Sequence, residues 1–246
     1  MPEGPSIVIL KELIEELHLE GSTILDVKGN TSIEKERMIN KTVIGFKSWG
    51  KHFLICFEGF TLKIHFLMFG TYLINEQKET PLRLGLIFEN NELNFYTCSL
   101  KFIEGDINDV YDWEADVLSE QWNPSKAGLK LKEKGNTLVC DILLDQDIFA
   151  GVGNIIKNEV LYRICVHPLS VIAALPIIKQ EELIKEARQY SFDFLRWKKE
   201  YTLKKHWLIN TKSICPLGHH VYRDYLGKTN RRTFFCIECQ KLYIVC

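Results

Sequence analysis

Close to the C-terminal end, Cys215-x3-His219 is followed sixteen residues later by Cys236-x2-Cys239. This spacing restricts the fold more than any other feature of the chain. Each short knuckle can grip one metal ion from two sides, and zinc takes four sulfur or nitrogen ligands in a tetrahedron. Pro216 and Gly218 suit a tight first turn. The segment from about residue 211 onward is too short to bury a core of its own, so a metal staple is what would fold it. One structural Zn2+ held by Cys215, His219, Cys236 and Cys239 is therefore expected, with His220 the alternative to His219. Cys56, Cys98, Cys140 and Cys165 are scattered through apolar segments and read as buried thiols. Clustered ligands beside scattered thiols point to a reducing compartment and not to disulfides.

Ahead of that tail, 246 residues with 46% hydrophobic and 26% charged content can build one large domain or two modest ones. No apolar run approaches the roughly 20 residues of a membrane helix, and no secretory leader pattern opens the chain, so a cytoplasmic protein without a membrane partner is expected. The net charge of −1 is unevenly spread. From Arg196 onward eleven Lys and Arg face three acidic residues, leaving the last fifth strongly basic. Local potential, more than the total, attracts phosphates, although a solvated lysine-rich helix and tail would look the same.

Pro5 suits the first turn of a helix in which Ile7, Leu10, Leu13, Ile14 and Leu17 share a face before Gly21. Short β-branched and aromatic runs follow, STILDVKG to ELNFYTC, with Asn90-Asn91 placed like a hairpin turn. Strands succeeding one another without helices imply an antiparallel sandwich or flattened barrel. An acidic stretch from Glu104 to Glu120 looks like a boundary, and the period then becomes helical. Asn123-Pro124-Ser125 opens one helix, TLVCDILLDQDIF is amphipathic, NIIKNEVLYRI starts after Gly151-Val152-Gly153, and a long amphipathic helix covers 175–200. The expected fold is α+β: an N-terminal antiparallel β-sandwich with a flanking helix (1–120), a helical domain (121–210) and a zinc-held β-hairpin (211–246).

Several residues carry chemistry only in combination. Methionine is normally trimmed ahead of proline, which would leave Pro2 as a free secondary amine. With a reference α-amino pKa of about 7.7–8.0, part of it is unprotonated at neutral pH. Such an amine can attack a sugar C1′, and Glu3 beside it can act as the acid for the ring oxygen or base. Lys51 follows a glycine between two strands, where a lysine is usually solvent decoration. Asn154 stands at a glycine-led helix start, a site for phosphate or simply an N-cap. Arg231 and Arg232 lie at the tip of GKTNRRTFF, free to enter a groove or to face solvent.

MPEGP, the Gly50-Lys51 turn, LLDQ-x-x-x-AGVGN and R-x-T-x-x-C-x-x-CQ together resemble the formamidopyrimidine-DNA glycosylase and endonuclease VIII family, in that family's order and over essentially the whole chain. The resemblance implies a β-sandwich, a helix–two-turn–helix domain and a zinc finger, with damaged double-stranded DNA held in the cleft by a monomer. It implies a base-excision-repair enzyme, a bifunctional DNA glycosylase and AP lyase working by β- or β,δ-elimination. Pro2 would be the nucleophile, Glu3 the acid and Lys51 the lysine engaging the lesion's phosphates. Asn154 and Arg231 would clamp the backbone. His65-Phe66-Leu67-Met68-Phe69-Gly70 lies where the family carries the wedge that fills the hole left by a flipped base, with Met68 the foremost filler and Leu67 and Phe69 beside it. Ser6 departs from the glutamate common there. FYTCSLKFIE resembles the endonuclease VIII branch, which favours oxidised pyrimidines and abasic sites over 8-oxoguanine. A catalytically weak damaged-DNA binder, or a zinc-ribbon adaptor, would share parts of this pattern.

Overall fold

The computed structural model describes residues 2–245; Met1, whose removal the Pro2 chemistry requires, lies outside them. Chain contacts divide it into two compact units, Met1–Tyr111 and Asp112–Cys246.

The first unit opens with α1 (Gly4–Glu15), started by Pro5 and burying Ile7, Leu10 and Ile14. Each of these aliphatics contributes roughly 1.5–3 kcal/mol by leaving water. Leu13 points outward and remains exposed, because the apolar stripe of this helix is narrower than the sequence suggests. The strands are β1 (Asp26–Lys28), β2 (Gly45–Trp49), β3 (His52–Phe57), β4 (Phe60–Ile74), β5 (Leu84–Ile87) and β6 (Glu92–Glu104). They pair antiparallel in one six-stranded sheet of order β1-β5-β6-β4-β3-β2. The antiparallel β-layer expected from the sequence is thus one continuously hydrogen-bonded sheet. Its inner strand β3 buries Phe53, Leu54, Ile55, Cys56 and Phe57 in succession, so both of its faces are covered, as in a two-layer structure. The register of β4 against β6 breaks between Phe66 and Thr71, a bulge that bends the longest strands.

The second unit is helical with a small hairpin. Its helices are α2 (Pro124–Glu133), α3 (Val139–Ile142), α4 (Asn154–Arg163) and α5 (Ile177–Lys199). The Asn123 side chain caps α2 by accepting from the Lys126 N–H. The stretch TLVCDILLDQDIF, expected to be a longer helix, forms only the single turn of α3. The chain then turns at Asp145–Phe149 and Gly151, whose φ of +98° ends any helical course. Strands β7 (Tyr222–Leu226) and β8 (Arg231–Phe235) make the C-terminal hairpin. No helix of the described residues is long and apolar enough to cross a membrane.

α4 is where sequence periodicity fails. Seven consecutive residues from Ile156 to Tyr162 are buried, Lys157, Asn158 and Glu159 among them. The helix has α5 on one side and β8 on another, so it has no solvent face for its charges. Each of these three side chains therefore makes at least one hydrogen bond, as low-dielectric surroundings demand. Glu159 accepts the backbone N–H groups of Leu208, Ile209 and Asn210 at 2.9–3.1 Å. Asn158 donates to Asn210 at 3.0 Å, and the Lys157 ammonium donates to the Thr233 hydroxyl at 2.7 Å.

Candidate active site and metal centre

In the first unit, Pro2 is half-buried and Glu3 only 2% exposed, directly ahead of α1. Helix starts carry positive potential from unpaired backbone N–H groups. The first turn itself holds no acidic residue, with Ser6 after Pro5, so the acidic group at this helix head is Glu3, the N-cap residue. The α1 helix packs on β2 and β3, the strands whose turn carries Lys51. Gly50 takes a φ of +52° there, a left-handed geometry that glycine adopts readily.

Behind Lys51 lies a group the sequence reasoning did not single out. His65 Nδ1 sits 3.2 Å from the Lys51 carbonyl oxygen. His52 Nδ1 lies 3.2 Å from the Tyr111 hydroxyl, and its ring meets His65 edge-on at 5.2 Å. Burial pushes His52 down to about 3, with Lys63, His65 and Lys51 adding to the effect. The only sequence signal was alternation: His52 and His65 are opposed partners in the β3–β4 register.

That burial makes stability pH-dependent. An unfolded histidine titrates near 6.5, so below that pH the unfolded chain takes up a proton that the fold refuses until about pH 3. Stability supplied by neutral His52 is complete above pH 6.5 and declines as pH falls, by up to ~1.4 kcal/mol per pH unit. Thermal melting at pH 7 and pH 5 is expected to show a smaller loss for His52→Gln than for the parent chain. Equal losses would place the acid sensitivity elsewhere.

At the bulge, Leu67, Met68 and Phe69 are all exposed. Met68, expected outward, is 56% exposed; Phe69 is more so at 82%, with a φ of +68°. A bulky residue held in the left-handed region stores strain. Gly70 permits it, since a Cβ there would sit 2.6 Å from the Thr97 carbonyl oxygen. Phe66 belongs to the core instead.

In the second unit, Gln146 braces the glycine turn, donating to the Leu144 and Val152 carbonyls and accepting the Gly151 N–H. Gly153 is the N-cap residue of α4 and Asn154 its first helical residue. The alternative in which Asn154 caps the helix therefore does not hold. Its Nδ2 donates to the Arg232 carbonyl at 2.7 Å. Together with the Lys157–Thr233 bond, this ties the start of α4 to β8, the strand that begins at Arg231. The hairpin turn is also anchored: the Lys228 N–H donates to Asp141 at 2.9 Å, and Gly227 packs against the same carboxylate.

The ligand atoms of Cys215, His219, Cys236 and Cys239 all lie within 4.8 Å of one another. His219 Nδ1 is 3.2 Å from Cys239 Sγ, and the Cys215 and Cys239 sulfurs are 3.8 Å apart. Metal–sulfur bonds of about 2.3 Å at tetrahedral angles place sulfurs ~3.8 Å apart, so the donor set fits a metal ion. His220 is exposed, stacks edge-on against Tyr222 and lies outside the cluster that His219 joins. Burial resists ionisation of Cys215, yet hydrogen bonds from Tyr162 and the His219 and Leu217 backbone hold its thiol down to about 6. Burial and the neighbouring Cys236 and Cys215 push Cys239 up to about 12. Crowded thiols ionise together only around a cation. Gln240 supports the second knuckle, accepting the Cys236 N–H and donating to the Val166 carbonyl.

Residues 1–102 match the formamidopyrimidine-DNA glycosylase N-terminal domain, and residues 114–190 match the formamidopyrimidine-DNA glycosylase H2TH domain. Endonuclease 8-like 2 of Bos taurus is 34% identical over 196 residues, covering 73% of this chain and 58% of that protein. Endonuclease 8-like 3 of Mus musculus is 31% identical over 208 residues, covering 80% and 34%. The chain thus spans between a third and three-fifths of the length of these relatives. Among solved structures, a viral DNA glycosylase superposes with a TM-score of 0.82 at 21% identity, covering 97% of this chain and all of that one. The Lactococcus lactis formamidopyrimidine DNA glycosylase, bound to DNA containing an AP site, gives 0.85 at 20%, covering 97% and 99%.

Proposed function

Since the chain belongs to the formamidopyrimidine-DNA glycosylase and endonuclease VIII family, on its endonuclease VIII-like branch, we propose that it is a bifunctional DNA glycosylase and AP lyase of base excision repair. Its substrates are oxidised bases in duplex DNA, pyrimidines foremost, and abasic sites. The observation that carries this reading is the Pro2–Glu3 pair at the head of α1, the helix packed on the strands whose turn bears Lys51.

The Pro2 nitrogen attacks C1′, the bond from C1′ to the base breaks, and the base leaves with that electron pair. Glu3 supplies a proton to the ring oxygen or the base. The C1′–O4′ bond then breaks, the ring oxygen leaving with its electron pair and taking up a proton, and the resulting iminium makes the C2′ hydrogen acidic. Its loss expels the 3′ phosphate with the C3′–O electron pair, and a repeat at the 5′ side gives δ-elimination. Lys51 holds lesion phosphates and assists these transfers. Met68, with Phe69 and Leu67 beside it, fills the space of the extruded nucleotide. The finger metal is zinc, one per chain, with a structural role. Residues 1–120, 121–210 and 211–246 serve as the catalytic part, the helix–two-turn–helix part and the finger of a monomer working in a reducing, cytoplasmic setting.

The test is incision of duplexes carrying an oxidised pyrimidine, 8-oxoguanine, an abasic site or no lesion. Cutting of the pyrimidine and abasic duplexes ahead of 8-oxoguanine is expected. Glu3→Gln should lower base release by about 10²–10⁴-fold while cutting of a ready-made abasic site suffers less. Tight binding without cutting would mean a damage binder disabled by Ser6 and would overturn the enzyme.

Asn154 and Arg231 are assigned to phosphate contacts, which position the protein without reading bases. An amide nitrogen carries two hydrogens, so Asn154 can hold Arg232 and a phosphate oxygen together. Arg231→Ala is expected to weaken binding to every lesion alike and to lower the slope of log affinity against log salt by about 0.9. Asn154→Ala should weaken binding with the slope unchanged. An unchanged slope in Arg231→Ala, with altered lesion preference, would assign Arg231 to base recognition.

A further inference from the structure

α2 and α5 enclose a trough of about 650 Å³ that contains no residue of the glycine turn, of α4 or of the finger. Its floor is apolar. Leu129 on α2 and Ile177 on α5 are each 60% exposed, Phe192 lies about four turns further along α5, and Trp122 and Ile184 lie beneath. Gly128 faces Ile184 across the two helices, where a Cβ would meet it at ordinary contact distance, 3.7 Å. Grouped exposed apolar side chains on a folded unit mark a surface meant to be covered. The rim is basic: Lys132, Lys185 and Arg188 stand against Glu181. No carboxylate lies within ion-pair distance of Lys132 or Lys185 among the described residues. The Arg188 guanidinium lies 5.2 Å above the Phe192 ring, presenting charge beside the apolar floor.

We propose that this trough docks an acidic amphipathic helix of a partner protein. Shape and charge choose that occupant. The lining residues recur at intervals of three and four on both helices: 125, 128, 129 and 132 on α2, and 177, 181, 184, 185, 188 and 192 on α5. Such rows form ridges with a groove between them, which the ridge of a third helix fills. From Ile177 to Phe192 the groove runs ~22 Å at 1.5 Å per residue, which a helix of about 14 residues matches. A nucleic-acid backbone would satisfy the cations and leave Leu129 and Ile177 wet. A second copy of this chain would oppose the same basic rim to itself, since a two-fold interface pairs like with like. An acidic helix covers the apolar floor and meets the three cations together.

The test uses the full chain and a fluorescein-labelled 14-residue helical peptide with Leu and Phe along one stripe and Glu flanking it. Fluorescence anisotropy is expected to show saturable binding in the micromolar range, weakened tenfold or more by Lys132→Glu with Lys185→Glu and by Leu129→Glu or Ile177→Glu. All four positions are exposed, so the fold tolerates the changes, and cutting of an abasic duplex should be unaffected. That readout separates failure here from failure of the enzyme assignment. Equal binding of a Lys-flanked or scrambled peptide, binding indifferent to the variants, or concentration-dependent dimerisation abolished by Leu129→Glu would each overturn the proposal.

Discussion

With Met1 removed, borohydride added during turnover of an abasic duplex is expected to fix the chain covalently to DNA through the peptide that begins at Pro2. Only an unblocked amine can form the iminium that borohydride reduces, so acetylation should abolish trapping, and a retained Met1, which turns the Pro2 nitrogen into an amide, should diminish it. Pro2→Gly retains an amine, now primary, and should trap weakly. Glu3 and Lys51 are untouched in these variants, which separates loss of the nucleophile from loss of the surrounding site. The effect should be all-or-none for the blocked chain, because no proton transfer can compensate for a missing nucleophile. Undiminished trapping with Met1 in place would mean that a lysine attacks, Lys51 first among the candidates, and the Pro2 assignment would fail.

The second large effect concerns the metal. One zinc per chain is expected on elemental analysis, and Cys236→Ser or Cys239→Ser should lose it. Structural zinc sites bind with apparent free energies of about 10–16 kcal/mol, most of which is folding energy of the segment they close. The small cluster around the knuckles includes Tyr162, Ile209, Val221 and Phe234, too little to hold β7 and β8 alone. Removing the metal should therefore unfold the hairpin that carries Arg231 and weaken DNA binding in parallel. His219→Ala should resemble Cys236→Ser, whereas His220→Ala should keep the metal, since His220 faces Tyr222 outside the cluster. Full DNA affinity in metal-free protein would dismantle the finger assignment, and loss of metal in His220→Ala alone would move the ligand.

Sequence by itself determined what depends on neighbours a few residues apart. The intervals 215–219 and 236–239 predicted the ligand cluster that the fold brings within 4.8 Å, because chelating turns are local objects. The helices opened by Pro5 and Pro124, the break at Gly151–Gly153 and the antiparallel run of strands were legible for the same reason: capping, φ and period are properties of short segments. Tertiary structure alone decided what depends on distant partners. Lys157, Asn158 and Glu159 look like the solvent face of α4, yet all are buried because their partners stand at 233, 210 and 208–210. His52 meets Tyr111 across 59 residues of chain. Phe69 is thrust outward further than Met68 where the β4–β6 register slips, an order of exposure that the bulge sets. A side chain's type states what it needs, water or a partner, while the identity of the partner is fixed only when remote segments pack. That is why the metal-ligand spacing could be read from letters, and the struts that hold the second unit together could not.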